Sequence, residues 1–167
     1  MIYFSSKSNK INLPLWEQLS TDSKAFFLKV ANGEKSGKKL FGLFFNGFYL
    51  PHELGHALQK ALPQYKASNN YESEYTANII AMLWWQKQGK QKELKQCYQY
   101  ARKVLSQLSN PVPEGQTAEK WFTENYLAAG KDPFVYGYMQ FGQFIKIYED
   151  KSLKDFDAVI KDLVKEK

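Results

Sequence analysis

Glycine and proline divide this chain into short segments, and the apolar residues between them recur at the spacing of an α-helix. Helix-ending signals of this kind occur at Asn32-Gly33, Gly89 and Gly130,. The clearest apolar stripe consists of Leu94, Cys97, Tyr98, Ala101, Val104, Leu105 and Leu108. Such a stripe is typical of a helix with one buried face. The pattern predicts a mainly α fold, or an α+β fold with a small sheet.

The same signals predict where the elements begin and end. Helices are expected over residues 21–31 (capped by Thr21 or Asp22), 51–62, 70–88, 94–108, 117–130, from 133 onward, and in a last segment from Leu153 to Leu163. Residues 34–39 are expected to form a loop. The apolar run 40–50 fits a buried strand or a buried helix, and Asn46-Gly47 is expected to break it.

The length of 167 residues predicts a single domain spanning 1–167,. Aromatic residues make up 16% of the chain, which is enough to build a packed core without disulfides. The single cysteine, Cys97, lies on an apolar stripe and is expected to be a small buried side chain,.

No segment of the sequence has the pattern of a membrane span or a secretion signal. The most apolar run, residues 40–50, is 11 residues long and contains Asn46, whereas a spanning helix needs about 20 apolar residues. The N-terminus lacks the basic and apolar regions of a signal peptide,. We therefore expect a cytoplasmic protein without a membrane span.

The net charge of +6 comes almost entirely from lysine, because Arg102 is the only arginine. Proteins that read bases or clamp phosphates favour the bidentate fork of arginine. The lysines are also scattered along the chain rather than clustered. The charge pattern indicates a solvated basic surface and argues against a nucleic-acid partner.

Both histidines of the chain lie in one pentapeptide, His52-Glu53-Leu54-Gly55-His56. On a helix, positions i and i+4 share a face, so the two imidazoles can bind one metal ion. Glu53 then lies near enough to take a proton from a water on that metal without being a ligand. The spacing predicts a zinc site with Glu53 as general base.

A catalytic zinc site needs a third protein ligand, and no third histidine exists,. The next predicted helix offers Glu72 and Glu74. Glu72 is three residues after Asn69, which fits a helix-capping partner, so Glu74 is preferred. Asn78 lies one turn beyond Glu74 and can accept the second N–H of a ligating histidine,.

These two segments resemble a known group of enzymes. FYLPHELGHAL (48–58) followed by EYTAN (74–78) is similar to the zincin metallopeptidases of the gluzincin type, and most similar to their ImmA/IrrE-like branch. The resemblance covers about residues 45–85. It implies that His52, His56 and Glu74 ligate zinc, that Glu53 is the general base, and that the substrate is a peptide or protein.

The sequence also departs from zincin patterns. Gln59 and Leu62 replace the further residues of HExxHxxGxxH, which excludes the metzincins. No multi-strand sheet is evident before the helix that bears the histidines. The oxyanion donor must be a tyrosine or Arg102; Tyr136 and Tyr138 are candidates because Gly137 leaves space beside them,.

Two functions follow from this reading. The first is a zinc-dependent metallopeptidase that hydrolyses peptide bonds with a water activated by Glu53. The alternative is a catalytically inactive, zincin-like zinc-binding protein with a regulatory or interaction role, in which the metal stabilises the fold. A lysine-rich module that binds nucleic acid or anionic surfaces is a third, weaker hypothesis.

Overall fold

The computed structural model describes residues 2–165, and helices make up most of this part of the chain. The elements in chain order are β1 (Tyr3–Ser5), β2 (Lys10–Asn12), a 3-10 turn (Trp16–Gln18), α1 (Thr21–Ala31), α2 (Glu34–Leu43), a π-helical segment (Phe44–Phe48), α3 (Tyr49–Ala61), α4 (Asn70–Lys87), α5 (Gln91–Leu105), α6 (Ala118–Ala129), α7 (Pro133–Glu149) and α8 (Phe156–Lys165). The predicted mainly α fold is confirmed, and the small sheet consists of β1 and β2.

Aromatic rings fill the main core. Phe44, Phe48 and Phe144 are almost completely buried, and Phe48 meets Phe144 edge-to-face with the ring centroids 4.8 Å apart. The edge-to-face geometry is favourable because the positive edge of one ring meets the negative face of the other. A second, smaller cluster forms around Phe122, Ala129 and Met139. These ring contacts in the main core pack the π-helical segment against α7.

The prediction of a loop over residues 34–39 is wrong, because this segment is the first part of α2. Asn32 and Gly33 both have positive φ and end α1, and a new helix begins directly after them. Leu40 and Phe41 are buried on this helix, and Glu34 forms an ion pair with Lys38 one turn later. The burial of Leu40 and Phe41 stabilises α2 more than the glycine and the lysines of residues 34–39 destabilise it.

The ambiguous run 40–50 is helical, and the break expected at Asn46-Gly47 is absent. Both residues lie in the π-helical segment that connects α2 to α3. Pro51 has no N–H with which to make a helical hydrogen bond to the preceding turn. The wider π-helical turn before it accommodates a residue that lacks this bond. A Cβ on Gly47 would lie 3.0 Å from the Trp85 ring, so the glycine allows α4 to approach this turn closely.

The helix caps agree with the sequence at most positions. Asn69, Thr117 and Asp132 each accept a backbone hydrogen bond at the start of their helix. The cap of α1 is Ser20 rather than Thr21 or Asp22. The last helix begins at Phe156, so Leu153 lies before it rather than within it.

The β1–β2 hairpin covers part of α3. Its antiparallel register pairs Phe4 with Ile11, and Lys60 of α3 donates a hydrogen bond to the carbonyl oxygen of Ser6 at 2.9 Å. The hairpin therefore lies over the helix that bears both histidines. Within residues 2–165, no helix combines the length and the apolar character needed to cross a membrane.

Candidate metal centre

A close contact between α3 and α4 brings the predicted site residues together. A Cβ on Gly55 would lie 3.1 Å from Cα of Ala77 and 3.3 Å from its Cβ. The absence of a side chain at position 55 therefore lets the two antiparallel helices approach closely. His52 of α3 and Glu74 of α4 are buried against one another at this contact.

Three ligand atoms converge between the two helices. Nε2 of His52 lies 3.1 Å from Nε2 of His56. Oε2 of Glu74 lies 3.2 Å from the first of these nitrogens and 3.6 Å from the second. Tetrahedral zinc with bonds of about 2.0–2.1 Å holds its ligand atoms roughly 3.3 Å apart. The spacing therefore fits a tetrahedral metal ion.

The tautomer of His52 follows from its partner Asn78. The Nδ2 group of Asn78 donates to Oε1 of Gln140 at 3.0 Å and to Oε1 of Gln143 at 2.9 Å. Its Oδ1 atom therefore faces Nδ1 of His52, at 2.8 Å. Because an amide oxygen only accepts, Nδ1 of His52 carries the proton. In the neutral ring, Nε2 then points its lone pair at Glu74 and His56.

Gln59 orients His56 in the same way. Its Nε2 donates to the carbonyl oxygen of Ser73 at 2.9 Å and to the Tyr65 hydroxyl at 3.1 Å. The Oε1 atom of Gln59 is left to face Nδ1 of His56, at 2.9 Å. This places the proton of neutral His56 on Nδ1 and its lone pair on Nε2. In the sequence, Gln59 is notable only as a departure from the longer HExxHxxGxxH motif.

The three converging atoms are all electron-pair donors, so a cation or a proton is required between them. Burial acts to raise the pKa of Glu74, but the neighbouring imidazoles of His52 and His56, which carry positive charge when a proton is shared at this point, outweigh it and hold the pKa well below its usual range,. Burial acts to lower the pKa of His56, but Glu74 outweighs it and the pKa is raised. The carboxylate thus stays ionised and favours positive charge at this point.

Glu53 lies beside this group and is bonded to the hairpin. Its Oε2 atom accepts a hydrogen bond from the backbone N–H of Phe4 at 2.7 Å. Burial raises its pKa, although the neighbouring His52 and His56 act to lower it,. A carboxylate with a raised pKa is better matched to proton transfer near neutral pH than an exposed one.

Glu72 is occupied at the start of α4. Its Oε2 atom accepts hydrogen bonds from both the backbone N–H and the hydroxyl of Ser68, while Asn69 caps the N–H of Glu72 at 2.8 Å. Of the two glutamates weighed from the sequence, the structure brings Glu74 to the histidines.

The candidate oxyanion donors are separated by the fold. Tyr136 lies in the same cavity as Glu53, and its hydroxyl oxygen accepts a hydrogen bond from Gln140 at 3.1 Å. Tyr138 packs against the Phe122 cluster and does not line that cavity. Arg102 lies on α5, where its guanidinium is 5.9 Å from the Tyr98 ring centroid. Of the three candidate oxyanion donors, the structure thus places only Tyr136 in the cavity that Glu53 and His52 line.

Tyr126 belongs to the candidate site, although it was not predicted from the sequence. Its hydroxyl donates to Oε1 of Glu74 at 2.6 Å, and Gln140 donates to Oε2 of the same carboxylate at 2.7 Å. These bonds hold Glu74 in the orientation that points Oε2 at the histidines. Tyr126 is one of 11 tyrosines, and no motif distinguishes it from the others. The packing of α6 against α4 is what places it here.

Comparisons with known protein families, with curated proteins and with solved structures find no match. The geometry of this site and the motif resemblance therefore carry what can be inferred about function.

Proposed function

We propose that this protein is a zinc-dependent metallopeptidase of the zincin type, with a peptide or protein as substrate. The observation that supports this most strongly is the convergence of two Nε2 lone pairs and Oε2 of Glu74 within 3.1–3.6 Å of one another. The side chains of Glu53 and Tyr136 lie in a cavity that also contains His52.

The donor set favours zinc among the common metal ions. Two imidazole nitrogens and one carboxylate oxygen are typical of catalytic zinc, which keeps its fourth position open. Magnesium and calcium prefer oxygen ligands in larger number. The hydrogen bonds from His52 to Asn78 and from His56 to Gln59 are of the kind that metal-bound histidines require.

The residues of the site suggest how hydrolysis would proceed. A bound zinc ion supplies Lewis acidity that activates water near neutral pH and polarises a peptide carbonyl. Glu53 accepts the proton of the attacking water and passes it to the leaving amine nitrogen. Tyr136, whose hydroxyl lies in the same cavity, donates to the oxyanion that develops at the carbonyl.

The decisive experiment compares the wild type with Glu53→Gln. Glutamine keeps the size and polarity of the side chain but cannot accept the proton. We expect both proteins to contain one equivalent of zinc by elemental analysis, and only the wild type to cleave a mixed peptide library. Normal cleavage by Glu53→Gln would refute the mechanism, and a wild type unable to take up zinc would refute the metal site.

One observation favours the alternative, a zinc-binding protein without peptidase activity. The N–H of Phe4 occupies one oxygen of Glu53, and the hairpin covers that carboxylate. Under this alternative, the metal connects α3 to α4, and its binding free energy adds to the stability of the folded state. Zinc uptake without cleavage of any library peptide, together with slow hydrogen exchange of the Phe4 amide in the zinc-loaded protein, would favour it.

A further inference from the structure

A deep apolar cavity opens directly onto the candidate site. Its volume is about 310 Å³, and it lies between the N-terminal segment and helices α1, α2, α3, α6 and α7. Nine of its 19 lining residues are aromatic, including Phe26, Phe45 and Phe141. At about 30 Å³ per water molecule, the space corresponds to roughly ten waters. An apolar group of at least the size of an aromatic side chain therefore fits into it.

Most of the polar side chains of the cavity lie on the side of the candidate metal centre. They are those of His52, Glu53, Tyr126, Tyr136 and Gln140, and Tyr3, Ser23 and Tyr49 add further hydroxyl groups to the lining. A pocket of this kind, apolar with a few convergent polar groups, orients its ligand by the polar end. A ligand that fills it therefore places its own polar end beside Glu53.

Charge complementarity limits what that polar end can be. Among the described residues that line the cavity there is no lysine and no arginine, and the one acidic residue is Glu53. A free terminal carboxylate would enter beside Glu53 and find no lysine or arginine to pair with. Only a zinc ion held by His52, His56 and Glu74 could neutralise it there, and the carboxylate would then take the open position that the attacking water needs. An uncharged amide carries no such penalty and can hydrogen bond to the tyrosines.

We infer that the cavity is the specificity pocket of the site, and that it takes an aromatic or large aliphatic side chain adjacent to the cleaved bond of an internal peptide segment. The inference rests on the proposed peptidase function and names its substrate class. The inference excludes an activity that removes C-terminal residues by binding their side chains in this pocket. In such a complex the terminal carboxylate would lie beside Glu53.

The first test uses peptides blocked at both ends that differ only in the residues flanking one bond. We expect kcat/KM for phenylalanine or leucine at the pocket position to exceed that for alanine by about 100-fold or more, since each methylene in an apolar pocket is worth about 10–200-fold. The same peptide with a free terminal carboxylate directly after phenylalanine should not be cleaved.

A pocket variant tests the location. Ser23 of α1 lines the cavity, so Ser23→Trp should fill it and reduce the phenylalanine preference at least tenfold, with zinc content unchanged. Asp22→Trp is the matched control, because Asp22 is exposed and does not line the cavity. An unchanged preference in Ser23→Trp would overturn the assignment of this cavity.

A binding measurement gives a readout that needs no turnover. N-acetyl-phenylalaninamide should bind the purified protein at least tenfold more tightly than N-acetyl-alaninamide, as followed by NMR titration. Equal binding of the two amides would overturn the inference. Cleavage without apolar preference would overturn the inference and leave the proposed function standing. Selective binding of the phenylalanine amide without cleavage of any peptide would support the pocket and count against the peptidase function.

Discussion

Asn78 Oδ1 accepts a hydrogen bond from Nδ1 of His52 at 2.8 Å, across the contact between α4 and α3. This bond determines which nitrogen of His52 keeps its lone pair, and therefore whether the histidine can serve as a ligand. Asn78 can make the bond only because Gln140 and Gln143 of α7 accept both of its N–H groups. Three helices thus orient the one nitrogen of His52 that we propose binds zinc.

Asn78→Ala should weaken zinc binding by 10–100-fold. That is the typical effect of removing a hydrogen-bond partner of a metal-bound histidine. The variant also leaves buried amide oxygens of Gln140 and Gln143 without partners, at a cost of about 1–3 kcal/mol in stability. Competition with a chromophoric chelator measures the affinity. Asn125→Ala is the control, because the side-chain hydrogen bond of Asn125 within residues 2–165 goes to Trp121 in its own helix. Equal zinc affinities in the two variants would contradict the role assigned to Asn78.

Removal of zinc should destabilise the protein. A ligand that binds only the folded state at 100 times its Kd adds about 2.7 kcal/mol. For a chain of this length that corresponds to a change in Tm of about 5–10 °C. Differential scanning fluorimetry with and without a chelator measures it. Glu74→Gln should show no response to zinc, whereas Glu72→Gln, altered two residues away, should respond like the wild type.

Gly55→Ala should be destabilising although alanine is the better helix former. Its Cβ would lie 3.1 Å from Cα of Ala77, so α3 and α4 would have to separate. Overpacking of this kind costs about 1–3 kcal/mol, and the separation should also weaken zinc binding. Gly142→Ala in α7 is the matched control, because a Cβ there meets nothing within 4 Å. That variant should gain about 0.5–1 kcal/mol in chemical denaturation.

Tyr126→Phe should weaken zinc binding about tenfold, because Glu74 loses the hydroxyl that fixes its Oε1 atom at 2.6 Å,. Tyr138→Phe makes the same chemical change outside the cavity and should leave both zinc affinity and turnover unchanged. Isothermal titration calorimetry and peptide turnover compare the two. An effect of Tyr138→Phe on zinc affinity as large as that of Tyr126→Phe would show that the Tyr126 hydroxyl does not position Glu74.

The thiol of Cys97 should resist alkylation in the native protein. The side chain is completely buried, and burial raises its pKa from 9.0 to about 12. At pH 8.5 the thiolate fraction is then about 1000-fold lower than in the unfolded chain. The thiol's contribution to stability is complete below pH 9 and is lost as the pH rises toward 12,. Iodoacetamide labelling followed by mass spectrometry, with and without guanidinium, measures the reactivity; rapid labelling of the native protein would contradict this burial.

Much of the candidate site could be predicted from the sequence, because four of its residues form two pairs that are each close together in the chain. His52 and His56 share a helix face by their i, i+4 spacing, and Glu74 and Asn78 do so on the next helix,. Helix caps such as Asn69 are equally local, because a side chain bonds a backbone N–H three residues away,. The helical identity of residues 34–50 was not readable, since its glycines and lysines favour a loop and only the packing of Leu40 and Phe44 overrules them.

By itself, the sequence determined the helical character of the chain and the spacing of the donor atoms along two helices, because both depend on contacts within about one helical turn. The tertiary structure brings Glu74, which the sequence already favoured, to the histidines. It alone decided that Tyr126 and Gln59 hold the candidate ligands in place and that an aromatic cavity opens beside Glu53. These relationships join residues far apart in the chain, such as Tyr126 and Glu74, and depend on how α6 and α7 pack against α4. Helical periodicity carries no information about that packing.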